Sequence, residues 1–313
     1  RFEHSRLCWQ NPATTWSSTA STARPRVPGT RKEALRVFDV HVHAAPDVIG
    51  RIGNDDDICR EYAKAGFSGF VLKAHHESTV GRAASLARSS GLDVVGGIAL
   101  NRPAGGVNPA AVVSALESGG RAVWFPTADS HTQETAALPR LSDLDPRLDR
   151  TVLSVPPVLE PNARQASDIS LVLDLIAEYD AVLCTGHVST AECVWLLEQA
   201  QKRGIKRFLL THPSYTVPGM SVSEIAELAE RGAFVEITAF QMWHQPGMTA
   251  GYLARIAKAA GDKLVLASDA GQPNSPYPPQ ALQELVSALR KEGLDEGRLA
   301  AAASAVPRTL ILN

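Results

Sequence analysis

Phe38-Asp39-Val40-His41-Val42-His43 reads as an apolar strand that ends in two histidines one residue apart. Side chains alternate faces along a strand, so the two imidazoles share a face and converge on one point. Asp39 has the same parity and is expected beneath them, fixing an imidazole tautomer. Two histidines this close could be a surface accident, but the run is too apolar for a solvated loop. Neutral imidazole is the commonest transition-metal ligand, so the pair predicts a metal site.

Outward from this strand, short β-branched runs alternate with longer helical stretches, the pattern of parallel strands joined by crossover helices. The strands are expected at Val37–His41, Phe67–Lys73, Val94–Leu100, Arg121–Phe125, Ala181–Thr185, Arg207–Leu210, Ala233–Ile237 and Lys263–Ala267. Several are nearly all apolar, as parallel strands covered on both faces should be. Helix starts are legible between them. Asn54 precedes three aspartates, Asn108-Pro109 pairs a cap with a first-turn proline, and Ser221 with Glu224 has capping-box spacing. Ser167 to Tyr179 carries apolar residues at helical period, and Ala281 to Arg290 reads as the eighth helix, with Arg298 to Leu312 as terminal cover. Eight βα rounds predict an α/β fold, a (β/α)8 TIM barrel, for which ~250 residues suffice.

The barrel is assigned residues 35–313, with an excursion at 127–161 read either as a functional loop or as surface decoration. Residues 1–34 differ in kind, with Ser and Thr clustered from Thr14 to Thr22 and only Glu3 acidic before Glu33. An organellar transit peptide has such a composition, but no apolar periodic face accompanies it, so a disordered or irregular tail is expected.

Lys and Arg number 31 against 33 Asp and Glu, which argues against nucleic acid or another polyanion as partner. The expected partner is a small-molecule substrate, and a homo-oligomer stays open. Four cysteines without C-x-x-C spacing form no disulfide framework, and no apolar run approaches the ~18 residues of a membrane span. A soluble, cytoplasmic protein with reduced thiols is the expectation.

Polar residues collect at the C-terminal ends of the strands, where barrel active sites are built. Strand one gives His41 and His43, and strand two gives Lys73 followed by His75 and His76. Strands five and six give His187 and His212, strand seven carries Glu236, and strand eight ends Ser268-Asp269-Ala270-Gly271. Each alone could merely shape a loop. Random scatter would also put histidines in the crossover helices, and none of those holds one.

In this order, His41-x-His43 after strand one, single histidines after strands five and six and an aspartate after strand eight, the chain resembles the amidohydrolase superfamily of metal-dependent barrel hydrolases. The resemblance implies that His41, His43, His187, His212 and Asp269 ligate metal, with Asp269 also handling the proton. A divalent ion in such a set, Zn²⁺ first with Mn or Fe as alternatives, lowers the pKa of a bound water to ~7. Two-metal members usually place a carboxylated lysine after strand four. Strand four here ends Trp124-Phe125-Pro126-Thr127, so the chain reads as an atypical branch with one ion.

Lys73 is the inward-facing substitute. It is a carbamylated ligand bridging two ions, an anchor for a substrate carboxylate, or half of a structural salt bridge. Catalysis is assigned to Asp269, Lys73 and His212, and substrate contact to His75, Trp124, His131 and Tyr215. Trp243 and His244 are further wall candidates. Glu236 is read as a base, a ligand or a carboxylate paired with Lys73. The expected activity is hydrolysis of a C–N or C–O bond in an amide, lactone or cyclic amide. Non-oxidative decarboxylation and a non-catalytic, metal-stabilised barrel are the alternatives.

Overall fold

The structure, a computed structural model, describes residues 36–136, 138–139, 141, 147 and 151–313. The tail expected over 1–34 lies outside the described residues. Eight parallel strands follow in sheet order: β1 (Phe38–Val42), β2 (Gly69–Leu72), β3 (Asp93–Ala99), β4 (Ala122–Trp124), β5 (Val182–Cys184), β6 (Phe208–Leu210), β7 (Phe234–Thr238) and β8 (Leu264–Ala267). All eight fall where the sequence places them.

The outer helices are α1 (Asp55–Lys64), α2 (Val80–Ser90) and α3 (Pro109–Glu117), then, after the short α4 (His131–Thr135), α5 (Ala163–Glu178), α6 (Thr190–Lys202) and α7 (Val222–Glu230). The short α8 (Phe240–His244) precedes α9 (Ala250–Ala260), α10 (Pro278–Lys291), α11 (Glu296–Ala303) and α12 (Ala305–Leu312). Ser221 forms the capping box its spacing predicts, Asn54 forms one with Asp57, and Asn108 caps α3. The helix expected from Ser167 starts earlier, because Asn162 and Gln165 form a capping box of their own.

Apolar residues divide into two layers. Phe70, Leu72, Val123, Leu183 and Leu210 pack outward against the helices. Val71, Ala99, Trp124, Cys184, Leu209 and Val265 fill the interior, and Leu310 and Ile311 of α12 plug its lower end. Cys59, Cys184 and Cys193 are free and buried. Among the described residues no helix is long and apolar enough to cross a membrane.

β1 departs from simple alternation. Between Asp39 and Val42 it advances one residue more than β2 does between their partners Phe70 and Leu72, which is a β-bulge. Below the bulge Phe38 and Val40 face the interior, and Asp39 faces outward to accept a 2.6 Å hydrogen bond from the Tyr62 hydroxyl of α1. Above it Val42 packs outward, His43 turns to the barrel mouth, and His41 Nε2 reaches Asp269 beneath it. The expected role of Asp39 beneath the imidazoles is therefore corrected. Its oxygens also accept from the backbone N–H groups of His41 and Ser268, so Asp39 ties β1 to α1 and β8. Burial outweighs these bonds and raises its pKa to about 6.

Candidate metal centre

The barrel closes where β1 meets the chain just beyond β8, and this seam builds the site. Asp269 N–H donates to the His41 carbonyl and His43 N–H to that of Ala270, each at 2.9 Å, with a parallel bridge between Val42 and Ala270. That register sets Asp269 between the two histidines. Its Oδ1 lies 3.0 Å from His41 Nε2 and 3.2 Å from His43 Nε2. Among the described residues these three form the group of ligand atoms, all within 4.8 Å of one another, that could hold a metal ion.

The backbone is bent to achieve this. Asp269 has φ +48° and His212 φ +27°, in a region where a side chain costs of order 1 kcal/mol or more. Gly271 has φ +137°, and a Cβ there would stand 2.2 Å from the His43 carbonyl oxygen. Gly186, just before His187, would likewise set a Cβ 2.1 Å from the Phe125 carbonyl oxygen. Both glycines let a ligand-bearing turn approach its neighbour's backbone.

Buried partners orient the imidazoles. The Glu236 carboxylate accepts from His41 Nδ1 at 3.2 Å and from the His212 backbone N–H at 3.0 Å. Glu236 therefore positions two site histidines, as partners of metal-bound imidazoles do. On α4, Gln133 Oε1 lies 2.9 Å from His187 Nδ1 and accepts its hydrogen, which leaves Nε2 free as a ligand. His212 Nδ1 is buried with no partner, and His212 Nε2 lies 3.9 Å from Asp269 Oδ2. Lys73 Nζ donates to His41 Nε2 at 3.0 Å and stands 5.6 Å above the Trp124 ring.

Burial sets the protonation pattern. It holds His41, His43, His75 and His187 well below the ordinary histidine range, helped by neighbouring positive or histidine groups, and lowers His212 to about 3. All five are neutral at pH 7, the form that binds metal. Burial raises Asp269 to about 8 against the pull of Lys73, and lowers Lys73 against the pull of Asp269 and Glu236. Neutral imidazoles, a carboxylate and an unsatisfied buried nitrogen make a donor set that fits a divalent transition ion.

Above this centre opens a cavity of about 420 Å³. Its polar wall holds His43, Arg51, Lys73, His75, Gln133, His187, His212 and Asp269; its apolar wall includes Ile49, Leu138, Leu141, Tyr215 and Phe240. His75 stacks on His43 with ring centroids 5.3 Å apart, and its Nδ1 meets Thr127 Oγ1 at 2.8 Å. Tyr215 packs edge-on to His212, and His244 lies in the wall with Nε2 bonded to Ser275 Oγ.

Three expected wall residues lie elsewhere. Trp124 belongs to the barrel interior below Lys73, in space that Gly97 leaves on β3, where a Cβ would stand 2.7 Å from the indole. His131 opens α4 outside the cavity lining, and its N–H donates to the Leu153 carbonyl. Two residues further along, Gln133 reaches the site instead. Trp243 is 36% exposed. Arg51 and Gln133 were not foreseen, because each sits in a loop or short helix that only tertiary packing aims at the metal centre. The described part of the 127–161 excursion thus lines the site through Gln133, Leu138, Pro139 and Leu141.

Residues 36–236 match the family described as a family of unknown function, DUF6282. The chain belongs to this family. No curated protein matches its sequence. Solved structures of similar fold include the organophosphorus hydrolase from Deinococcus radiodurans, at 12% identity and TM-score 0.57, covering 88% of this chain and 92% of that one. A Deinococcus radiodurans PTE-like lactonase mutant is 12% identical at TM-score 0.58, with 90% of this chain and 98% of that one covered. An amidohydrolase from Pseudomonas aeruginosa is 11% identical at TM-score 0.56, with 89% and 96% covered. The DUF6282 chain therefore shares their barrel fold, as the resemblance read from its histidines implies.

Proposed function

We propose that this DUF6282 protein is a metal-dependent hydrolase that cleaves a C–N or C–O bond, of amide, lactone or cyclic amide type, in a small organic substrate. The carrying observation is the convergence of His41 Nε2, His43 Nε2 and Asp269 Oδ1 at the mouth of the barrel. His187 and His212 complete the ligand set, since their rings neighbour each other at 5.0 Å and both line the same cavity. The neighbours of similar fold, a lactonase, an organophosphorus hydrolase and an amidohydrolase, point to the same chemistry.

A divalent ion, zinc by preference, would be held by His41, His43, His187, His212 and Asp269, and would supply a water with its pKa lowered to ~7 and a Lewis acid for the substrate carbonyl. Asp269 would accept a proton from the attacking water and pass it to the leaving group. Glu236 keeps the His41 ring in the tautomer that frees Nε2, and Gln133 does the same for His187. Lys73, pointing at His41 Nε2, reads either as a carbamate bridging a second ion or as a neutral amine beside a single one. The single ion is our reading, because β4 ends at Trp124 with no acidic or basic residue through Thr127. Three buried free cysteines accord with a reducing compartment such as the cytoplasm.

Metal analysis of the purified protein and of a His41→Ala, His43→Ala double variant tests the centre, together with a panel of lactones and amides. About one ion per chain, lost in the variant along with activity, is expected. Retention of metal by the variant refutes the site. Release of carbon dioxide without consumption of water refutes hydrolysis in favour of decarboxylation.

A further inference from the structure

Arg51 was assigned no role by the metal chemistry, yet it is the guanidinium of the cavity wall, with a side chain only 2% exposed. Burying a cation beside a metal centre is costly unless it is paired, and Asp47 supplies the partner. Arg51 Nε and Nη2 both donate to Asp47 Oδ2, at 2.8 and 2.6 Å. Nη2 also donates to His43 Nδ1 at 3.2 Å. A third, looser neighbour of Asp47 is His76, whose Nδ1 lies 3.9 Å from Oδ1. Nη1, with two donors, has no hydrogen-bond partner among the described residues.

These bonds fix a forked donor one imidazole away from the metal-facing edge of His43. Nη1 keeps both of its donors whether or not His43 ligates an ion. A guanidinium held at its back by a carboxylate offers these remaining donors to an anion in front. Beyond it the cavity turns apolar at Ile49, Leu138, Leu141 and Phe240.

We propose that Arg51, oriented by Asp47, is the receptor for a substrate carboxylate, so that the substrate is an organic acid with its carboxylate close to the scissile group and an apolar body. This rests on the hydrolase reading for what happens next, but binding tests it separately. Isothermal titration of the full chain with 3-phenylpropanoate and with 3-phenylpropanamide, metal-loaded and after chelation, is the measurement. The acid should bind about tenfold or more tighter than the amide in the chelated sample, where no ion can hold the carboxylate. Arg51→Met should lose that preference. Arg51→Lys, which keeps the charge and covers the case in which the Met variant fails to fold, should retain part of it. Equal binding of acid and amide by the chelated wild-type chain, or a preference that survives Arg51→Met, overturns the proposal. A chain that holds no metal refutes the hydrolase reading alone, because the Arg51 preference is scored on the chelated sample.

Discussion

Acidifying the chelated protein from pH 7 to pH 5 should remove a large part of its stability. A histidine whose pKa falls on folding binds fewer protons folded than unfolded, so stability is lost as the pH drops below about 6.5. His212, held at about 3 by burial, stays neutral across this window while its unfolded counterpart takes up a proton. Integrated over two pH units, that difference costs about 2 kcal/mol. His41, His43, His75 and His187 are shifted in the same direction by burial, which brings the total to about 10 kcal/mol if all four stay neutral at pH 5.

Two buried carboxyls act in the opposite sense. Asp269, raised to about 8, and Asp39, raised to about 6, hold protons that the unfolded chain releases. Together they return about 4 kcal/mol as the pH falls from 7 to 5. Glu236, also raised by burial, adds to that offset, and Lys73, lowered by burial, adds to the loss, which leaves a net loss of about 6 kcal/mol. This is comparable to the whole stability of an ordinary domain, about 5–15 kcal/mol. Urea unfolding at both pH values measures it, with EDTA present throughout. Equal or greater stability at pH 5 would refute the assignment of five buried neutral imidazoles.

Three further outcomes follow from named contacts. Glu236→Gln removes the charge that orients His41 and should weaken metal affinity about 10- to 100-fold, read by competition with a chromophoric chelator. A change within twofold would remove Glu236 from the site. Gly271→Ala forces a Cβ into the His43 carbonyl and should cost about 3 kcal/mol or more, seen as a lowered Tm with metal content falling in parallel. Tyr62→Phe deprives the buried Asp39 carboxylate of its hydroxyl donor and should cost about 1–3 kcal/mol at pH 7. Because the bond favours the ionised form, that cost should shrink towards pH 5; a constant cost would show that Asp39 is not the group affected.

What the sequence determined by itself was the barrel and the ring of chemistry on it. Strand order, the parity that points Lys73 inward from Val71, and the placement of His187, His212 and Asp269 at strand ends are local properties of alternation, and the chain writes them directly. Parity failed at one position. A bulge adds a residue to β1 between Asp39 and Val42, so Asp39 turns outward to Tyr62 while His41 and His43 still reach Asp269. No local signal marks that extra residue, because it is set by how β1 pairs with β2 on one side and with the Asp269 turn on the other. The tertiary structure also decided which groups serve the ligands. Glu236, Gln133 and Arg51 lie 195, 54 and 8 residues from the histidines they hold, and the packing of strands and loops at the barrel mouth brings each pair together.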